Sequence, residues 1–187
     1  MIYGLPESLE VNGVEHPIRT DFRDIMRIIF AMHDPNLENN EKAYVCLYVL
    51  YEDFDELKSE DYEAAFKAAS WFINCGDKQE KEGAPQKRAI DFEQDEQLLI
   101  AAVNRVAGRE VRSMDYLHWW TFMGFFMEIG DCTYRTVLNL RSKKNRGKKL
   151  EKWEEEFWNN NKEICVIREK LSDEEIAQYE KLKSLFD

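Results

Sequence analysis

The sequence predicts a mainly α fold, a multi-helix orthogonal bundle carrying a small N-terminal β-hairpin. Three observations predict it. Apolar residues recur at three- and four-residue spacing through almost every segment after Thr20, the period of a helix face. Before that, Ser8-Leu9-Glu10-Val11 and Val14-Glu15-His16-Pro17-Ile18 flank Asn12-Gly13, a dipeptide that tolerates positive φ at both turn positions and suits a two-residue type I′ hairpin. Third, Tyr116 to Ile129 gathers six aromatic residues and His118 into a stretch too apolar for a helix with one buried stripe.

Each element has its own signals. Pro17 cannot donate to a ladder, so the ribbon must be short and lie on something else. Thr20 or Asp21 caps a first helix with Phe22, Ile25, Met26, Ile29 and Met32 on one side, ended by Asp34-Pro35-Asn36. A second, from about Asn40 to Glu52, carries Tyr44, Val45, Leu47, Tyr48 and Tyr51 and is expected to be largely buried. Ser59 caps a third, through Tyr62, Ala65, Phe66, Ala69, Phe72 and Ile73 to Gly76. Asp77 to Arg88 offers no apolar face and reads as a mobile loop. Asp91 with Gln94 resembles a capping box opening a helix with Phe92, Leu99, Val103 and Val106, closed by Gly108.

Ser113 is then the expected cap of the aromatic helix. At 100° per residue, Tyr116, Trp119, Trp120, Met123, Phe126 and Met127 fill one side, and His118, Phe122, Phe125 and Ile129 continue around it. Leu117, Thr121, Gly124 and Glu128 form the remaining strip. Such a helix is either central or carries a second face for a partner. Asp131 caps a short helix through Tyr134, Val137, Leu138 and Leu140. Beyond it Leu150, Trp153, Phe157, Ile164, Ile167 and Leu171 fall on a seam-like spacing, weakened by Asn159 to Asn161. Ser172 with Glu175 makes a capping box for a last helix through Tyr179, Leu182 and Phe186. Two units are expected: residues 1–140 as hairpin plus helical core, and 141–187 as a basic linker with C-terminal helices packing on the core or on a partner.

Charge and chemistry narrow the function. Asp and Glu outnumber Lys and Arg by 37 to 26, for a net −11. Arg141 to Lys152 is locally basic, which leaves the remainder more acidic still, so the field disfavours nucleic acid and anionic membranes. That basic run has no interleaved aromatics and reads as a solvated loop or helix end. No apolar run nears the roughly 18 residues of a membrane span, and no export signal opens the chain. The four cysteines, Cys46, Cys75, Cys132 and Cys165, lie far apart and read as free, buried thiols in a reducing cytoplasm. His16, His33 and His118 are scattered, and Phe122 stands where a second metal ligand would follow His118. Asp91, Glu93, Asp95 and Glu96 complement a helix dipole rather than forming an acid–base pair. No phosphate loop, zinc motif or nucleophile elbow is present. The reading is a non-enzyme with no catalytic residue, metal or cofactor.

Val11-Asn-Gly-Val-Glu-His-Pro-Ile-Arg-Thr-Asp-Phe-Arg23, Asp91-Phe-Glu-Gln-Asp95 and Leu117-His-Trp-Trp-Thr-Phe122, in this order, together with Trp71, Cys75, Gly76 and the closing Leu171 to Leu185 helix, resemble the tailed-phage and prophage gene-product-fifteen family. The resemblance implies a helical protein of tail morphogenesis in the host bacterial cytoplasm, acting as an assembly chaperone. Its partners would be the tape-measure protein, other tail assembly proteins and a sister subunit. The expected partner-binding residues are Tyr116, Trp119, Trp120 and Met123, or the face of Trp153 and Phe157. A structural ring or joining component of the tail, and an acidic inhibitor of a host nucleic-acid enzyme, are the alternatives.

Overall fold

The computed structural model describes residues 4–77 and 87–183. It is mainly α: among the described residues, nine α-helices follow one antiparallel hairpin. The hairpin pairs β1 (Ser8–Val11) with β2 (Val14–Pro17) in the register Val11 to Val14. Asn12 at φ 50° and Gly13 at φ 87° make the two-residue turn, as the dipeptide predicts. Leu9, Val11 and His16 point inward. Asn12 Nδ2 donates to Asp61 Oδ1 at 2.7 Å, which pins the turn to the entry of the third helix.

Helix α1 (Phe22–Met32) packs along α2 (Asn39–Leu50), and α2 along α3 (Tyr62–Ile73). Asp21 caps α1 by accepting from Arg23 N. Ser59 opens a 3-10 turn, Ser59–Asp61, rather than capping α3 itself. α2 departs from its expected burial. Cys46, Leu47, Leu50 and the following Tyr51 are in the core, whereas Tyr44 and Tyr48 stand 51% and 58% exposed. A helix with apolar residues all round does not say which side its neighbours take, and α1 and α3 take the other one. The expected loop from Asp77 to Arg88 lies mostly outside the described residues, as does Phe186.

α4 (Glu96–Ala107) and α5 (Trp119–Met127) complete the main core. Asp91 Oδ1 accepts from Glu93 N and Gln94 N. The Gln94 side chain does not reach back: Nε2 donates to Val166 O and Oε1 accepts from Arg168 N, tying the start of α4 to the chain 72 to 74 residues on. α6 (Thr133–Asn145) is capped by Cys132 rather than Asp131 and runs through residues 140 and 141 without a break. It packs with α7 (Lys152–Asn160) and α8 (Lys162–Cys165) around a second cluster of Val137, Leu140, Leu150 and Cys165. The chain breaks between α7 and α8 at Asn161, φ −130°, so the seam from Leu150 to Leu171 is not one helix. α9 (Asp173–Lys183) begins with the expected box: Ser172 Oγ accepts from Glu175 N, and Ser172 N donates to Glu175 Oε2. No described helix is long and apolar enough to cross a membrane.

Candidate partner-binding surface

The aromatic helix begins three residues later than a helix opened by Tyr116 would. His118 is its N-cap: Nδ1 accepts from Trp120 N at 3.0 Å while Nε2 donates to Pro6 O at 3.0 Å, an arrangement that suits the Nε2–H tautomer. The expected cap, Ser113, lies instead in a 3-10 turn, Val111–Ser113. After a bend at residues 114 and 115, the chain up to His118 is held by tertiary bonds. Asp21 and His118 form an antiparallel bridge, with Phe22 N donating to Leu117 O at 2.9 Å and Trp119 N to Thr20 O at 2.7 Å. Asp21 Oδ2 also accepts from Leu117 N, and Arg23 donates to the Met114 and Arg112 carbonyls. Leu117 is therefore buried, although it falls on the polar strip of an ideal helix.

The rings of α5 mostly turn inward. Phe122 stacks on Phe22 with centroids 4.7 Å apart, Trp119 stacks on Phe122, and Phe126 meets Phe92 and Tyr134. Trp119 is 2% exposed, and its Nε1 donates to Ile73 O at 2.8 Å. Trp120 does the same for Phe72 O at 2.8 Å. Two indoles from one helix thus bond carbonyls of the last turn of α3, where Phe72 O also accepts from Cys75 N at 3.0 Å. Trp119 is committed to the core and is not surface that a partner can touch in this fold.

The other expected contact residues sit in three places. Tyr116 is exposed, its hydroxyl bonded to Thr20 Oγ1 at 2.7 Å. Met123 and Trp120 are half-buried. Trp153 is exposed with its indole N–H on Glu151 Oε2, and Phe157 is half-buried against the second cluster. What sequence reasoning missed is the partner of Trp120. Trp71, 37% exposed on α3, meets it edge to face at 5.4 Å, and Gly76 lies beneath the pair. A Cβ on Gly76 would stand 3.5 Å from atoms of both indoles, and its φ of 83° belongs to the left-handed region. Trp71, Gly76 and Trp120 thus form one surface patch; the signal available in the sequence was a Trp five residues before a helix-closing glycine.

The basic run is exposed at and beyond the end of α6 from Lys144 to Lys149, but its first residue departs from the reading as a solvated loop or helix end. Arg141 is buried and all five of its N–H groups are used. Nη1 and Nη2 grip Asp95 at 2.6 and 2.8 Å, and the remaining bonds go to Ala89 O, Ile164 O and Cys165 O. Among the described residues no group of three His, Cys, Asp or Glu side chains converges as a metal site would require.

This is a mainly α-helical protein whose distinctive exposed chemistry is aromatic and apolar. The chain belongs to the Bacteriophage Gp15 protein family, whose model matches residues 1–167. That makes it a phage protein of a structural and assembly family. The match spans all three motifs, the Trp71 to Gly76 corner and the basic segment; α9 lies beyond it. No curated protein and no solved structure matches the chain.

Proposed function

We propose that the protein is a tail assembly chaperone that binds the tape-measure protein in the host cytoplasm during tail morphogenesis. One observation supports this above others: Trp71 and Trp120 are held together at the surface of a strongly acidic chain, on a platform made of the helix-ending bonds of α3 and a left-handed glycine. Trp is the residue type most enriched among interface anchors, and a rigid ring pair loses little entropy on binding. The exposed apolar stripe of Ile176, Tyr179 and Leu182 on α9 adds a second apolar surface suited to a helix. The acidic remainder keeps such a carrier apart from nucleic acid.

Co-expression with the tape-measure protein of the same phage tests the reading. A soluble complex should co-purify, and Trp71→Ala should weaken it about 30-fold, the cost of one anchor worth about 2 kcal/mol. A tape-measure protein that is insoluble and uncaptured in the presence of this chain sinks the proposal. Recovery of the chain in stoichiometric amount from washed virions would make it a tail component instead.

A further inference from the structure

Two other surfaces of the chain fit each other. On α2, Glu41, Tyr44 and Tyr48 follow one face at helical spacing, and Glu52 stands beyond the extended Tyr51 that ends the helix. The Tyr44 and Tyr48 rings are parallel with centroids 6.2 Å apart, and both stand edge-on to Phe54 at 5.2 and 5.6 Å. Their outer faces are open. A dent of about 310 Å3 opens beside Tyr48, with Glu52 and Asp55 on its rim. The arginines that line it are already engaged: Arg19 donates to Val49 O and Tyr51 O, and Arg27 to Asp24. The surface is aromatic, and the dent carries Asp24, Glu52 and Asp55 against two arginines, of which Arg27 pairs with Asp24 and Arg19 with no carboxylate among the described residues.

The exposed cations are concentrated elsewhere. At the end of α6, Lys144, Arg146, Lys148 and Lys149 are all exposed around Gly147, which turns the chain at φ 66°. Lys143 is held by Glu154 and Lys144 sits 4.2 Å over the Trp158 ring, but Lys148 and Lys149 have no acidic partner among the described residues. A lysine ammonium over a tyrosine face, flanked by carboxylates, gains from both the ring and the charges. Both surfaces stand exposed among the described residues.

We propose that the tyrosine face of α2 takes up the basic turn after α6 of a second copy, head to tail. The charge complementarity of the two surfaces is the basis for choosing a second copy as the occupant. Because the two surfaces are different, each copy keeps one free half of the contact, and the association continues beyond a dimer unless it closes into a ring. This contact is independent of tape-measure binding, and either can fail alone.

Sedimentation of the full chain tests it. At about 50 mM salt the average mass should rise with concentration above that of a monomer, and at about 500 mM it should fall back, since exposed ion pairs are screened. Tyr44→Ala/Tyr48→Ala and Lys148→Glu/Lys149→Glu should each weaken self-association at least tenfold while the circular dichroism spectrum stays unchanged; only the tyrosine variant, which loses its ring contacts with Phe54, should melt lower. Lys67→Glu/Arg135→Glu, with the same charge change at exposed sites elsewhere, should leave it intact. The decisive sample is the mixture. The first variant retains the basic turn and the second the tyrosine face, so together they should form a one-to-one dimer that grows no further. A wild-type chain that stays monomeric at low salt, either variant associating like wild type, or a mixture that does not pair overturns the proposal. In the first case the tyrosine face is left for the basic segment of a different protein.

Discussion

Replacing Arg141 by Met tests how the second cluster is held to the first. The Arg141 and Asp95 side chains are 3% and 1% exposed, and two parallel N–H to O bonds at 2.6 and 2.8 Å join them. Arg141→Met leaves the Asp95 carboxylate buried with a single N–H, that of Asp91 at 3.2 Å, and strips the Ala89, Ile164 and Cys165 carbonyls of their side-chain donor. Removing one member of a buried pair costs about 3–5 kcal/mol, because the other charge is left without compensation. For a chain of this size each kcal/mol shifts Tm by about 2–4 °C, so melting should fall by roughly 10 °C. Urea unfolding of Arg141→Met, Asp95→Asn and the double variant measures the coupling. The double variant should be about 2 kcal/mol more stable than the sum of the single losses allows, since it leaves no uncompensated charge. A cost below about 1 kcal/mol for Arg141→Met, or strict additivity, would refute the account. Amide exchange supplies a second check: Arg141 bonds the carbonyls that end α8, so protection should drop in residues 164–168 of the Met variant.

Three further outcomes are expected. Trp119→Phe keeps a ring in the core but loses the bond to Ile73 O and part of the indole volume, and should cost about 2 kcal/mol in urea unfolding; an unchanged midpoint would mean the carbonyl finds another donor. Burial pushes the Cys46 thiol up to about 12 and the Cys75 thiol up to about 11, and raises that of Cys165. With the thiolate so disfavoured, Cys46 and Cys165, both inside, should react with a thiol reagent at neutral pH only in denaturant, which mass spectrometry after brief labelling would show. The hydrogen bonds from Arg112 first, then one from Asn104, hold the Glu110 carboxyl down at about 2 against an ordinary 4.5. The folded value is the lower one, so the group contributes stability above the unfolded value and loses it as pH falls from about 4.5 toward 2. Glu110→Gln should therefore flatten the acid limb of the stability profile in that window; an unchanged slope would contradict the pairing.

What the sequence made legible was local. Asn12-Gly13 specified its turn because both residues accept positive φ, and Ser172 with Glu175 specified a helix start because the two satisfy each other within one turn. The three asparagines broke a helix where they stand. The rest required partners distant in sequence. His118 is outside the usual set of capping residues. It serves here because Asp21 and Phe22, nearly a hundred residues earlier, hold the chain before it in place and keep Ser113 from starting the helix. Arg141 looked like one more solvated cation because its carboxylate partner is 46 residues away. Tyr44 and Tyr48 were read as buried because periodicity can show that a helix is apolar all round without showing where its neighbours lie.

The candidate site was legible only in part, and the reason bears on where binding can occur. The motifs that mark the family are largely spent on the fold. Thr20 to Arg23 and Leu117 to Phe122 bond to each other, the Trp pair of the third motif satisfies the end of α3, and Asp95 of the second anchors Arg141. Side chains committed in this way hold the shape of the protein but cannot also face a partner. Trp120 is the exception that links the two roles: its N–H completes α3 while its ring edge, with Trp71, reaches the surface over Gly76. A partner bound there would press on a corner where α3, α5 and a left-handed glycine meet. Trp120→Phe should accordingly disturb stability and binding together, whereas Trp71→Ala, which removes no hydrogen bond from the core, should reduce binding with little loss of stability. That separation, measured by unfolding and by co-purification on the same samples, distinguishes a surface built for a partner from rings left partly exposed by packing.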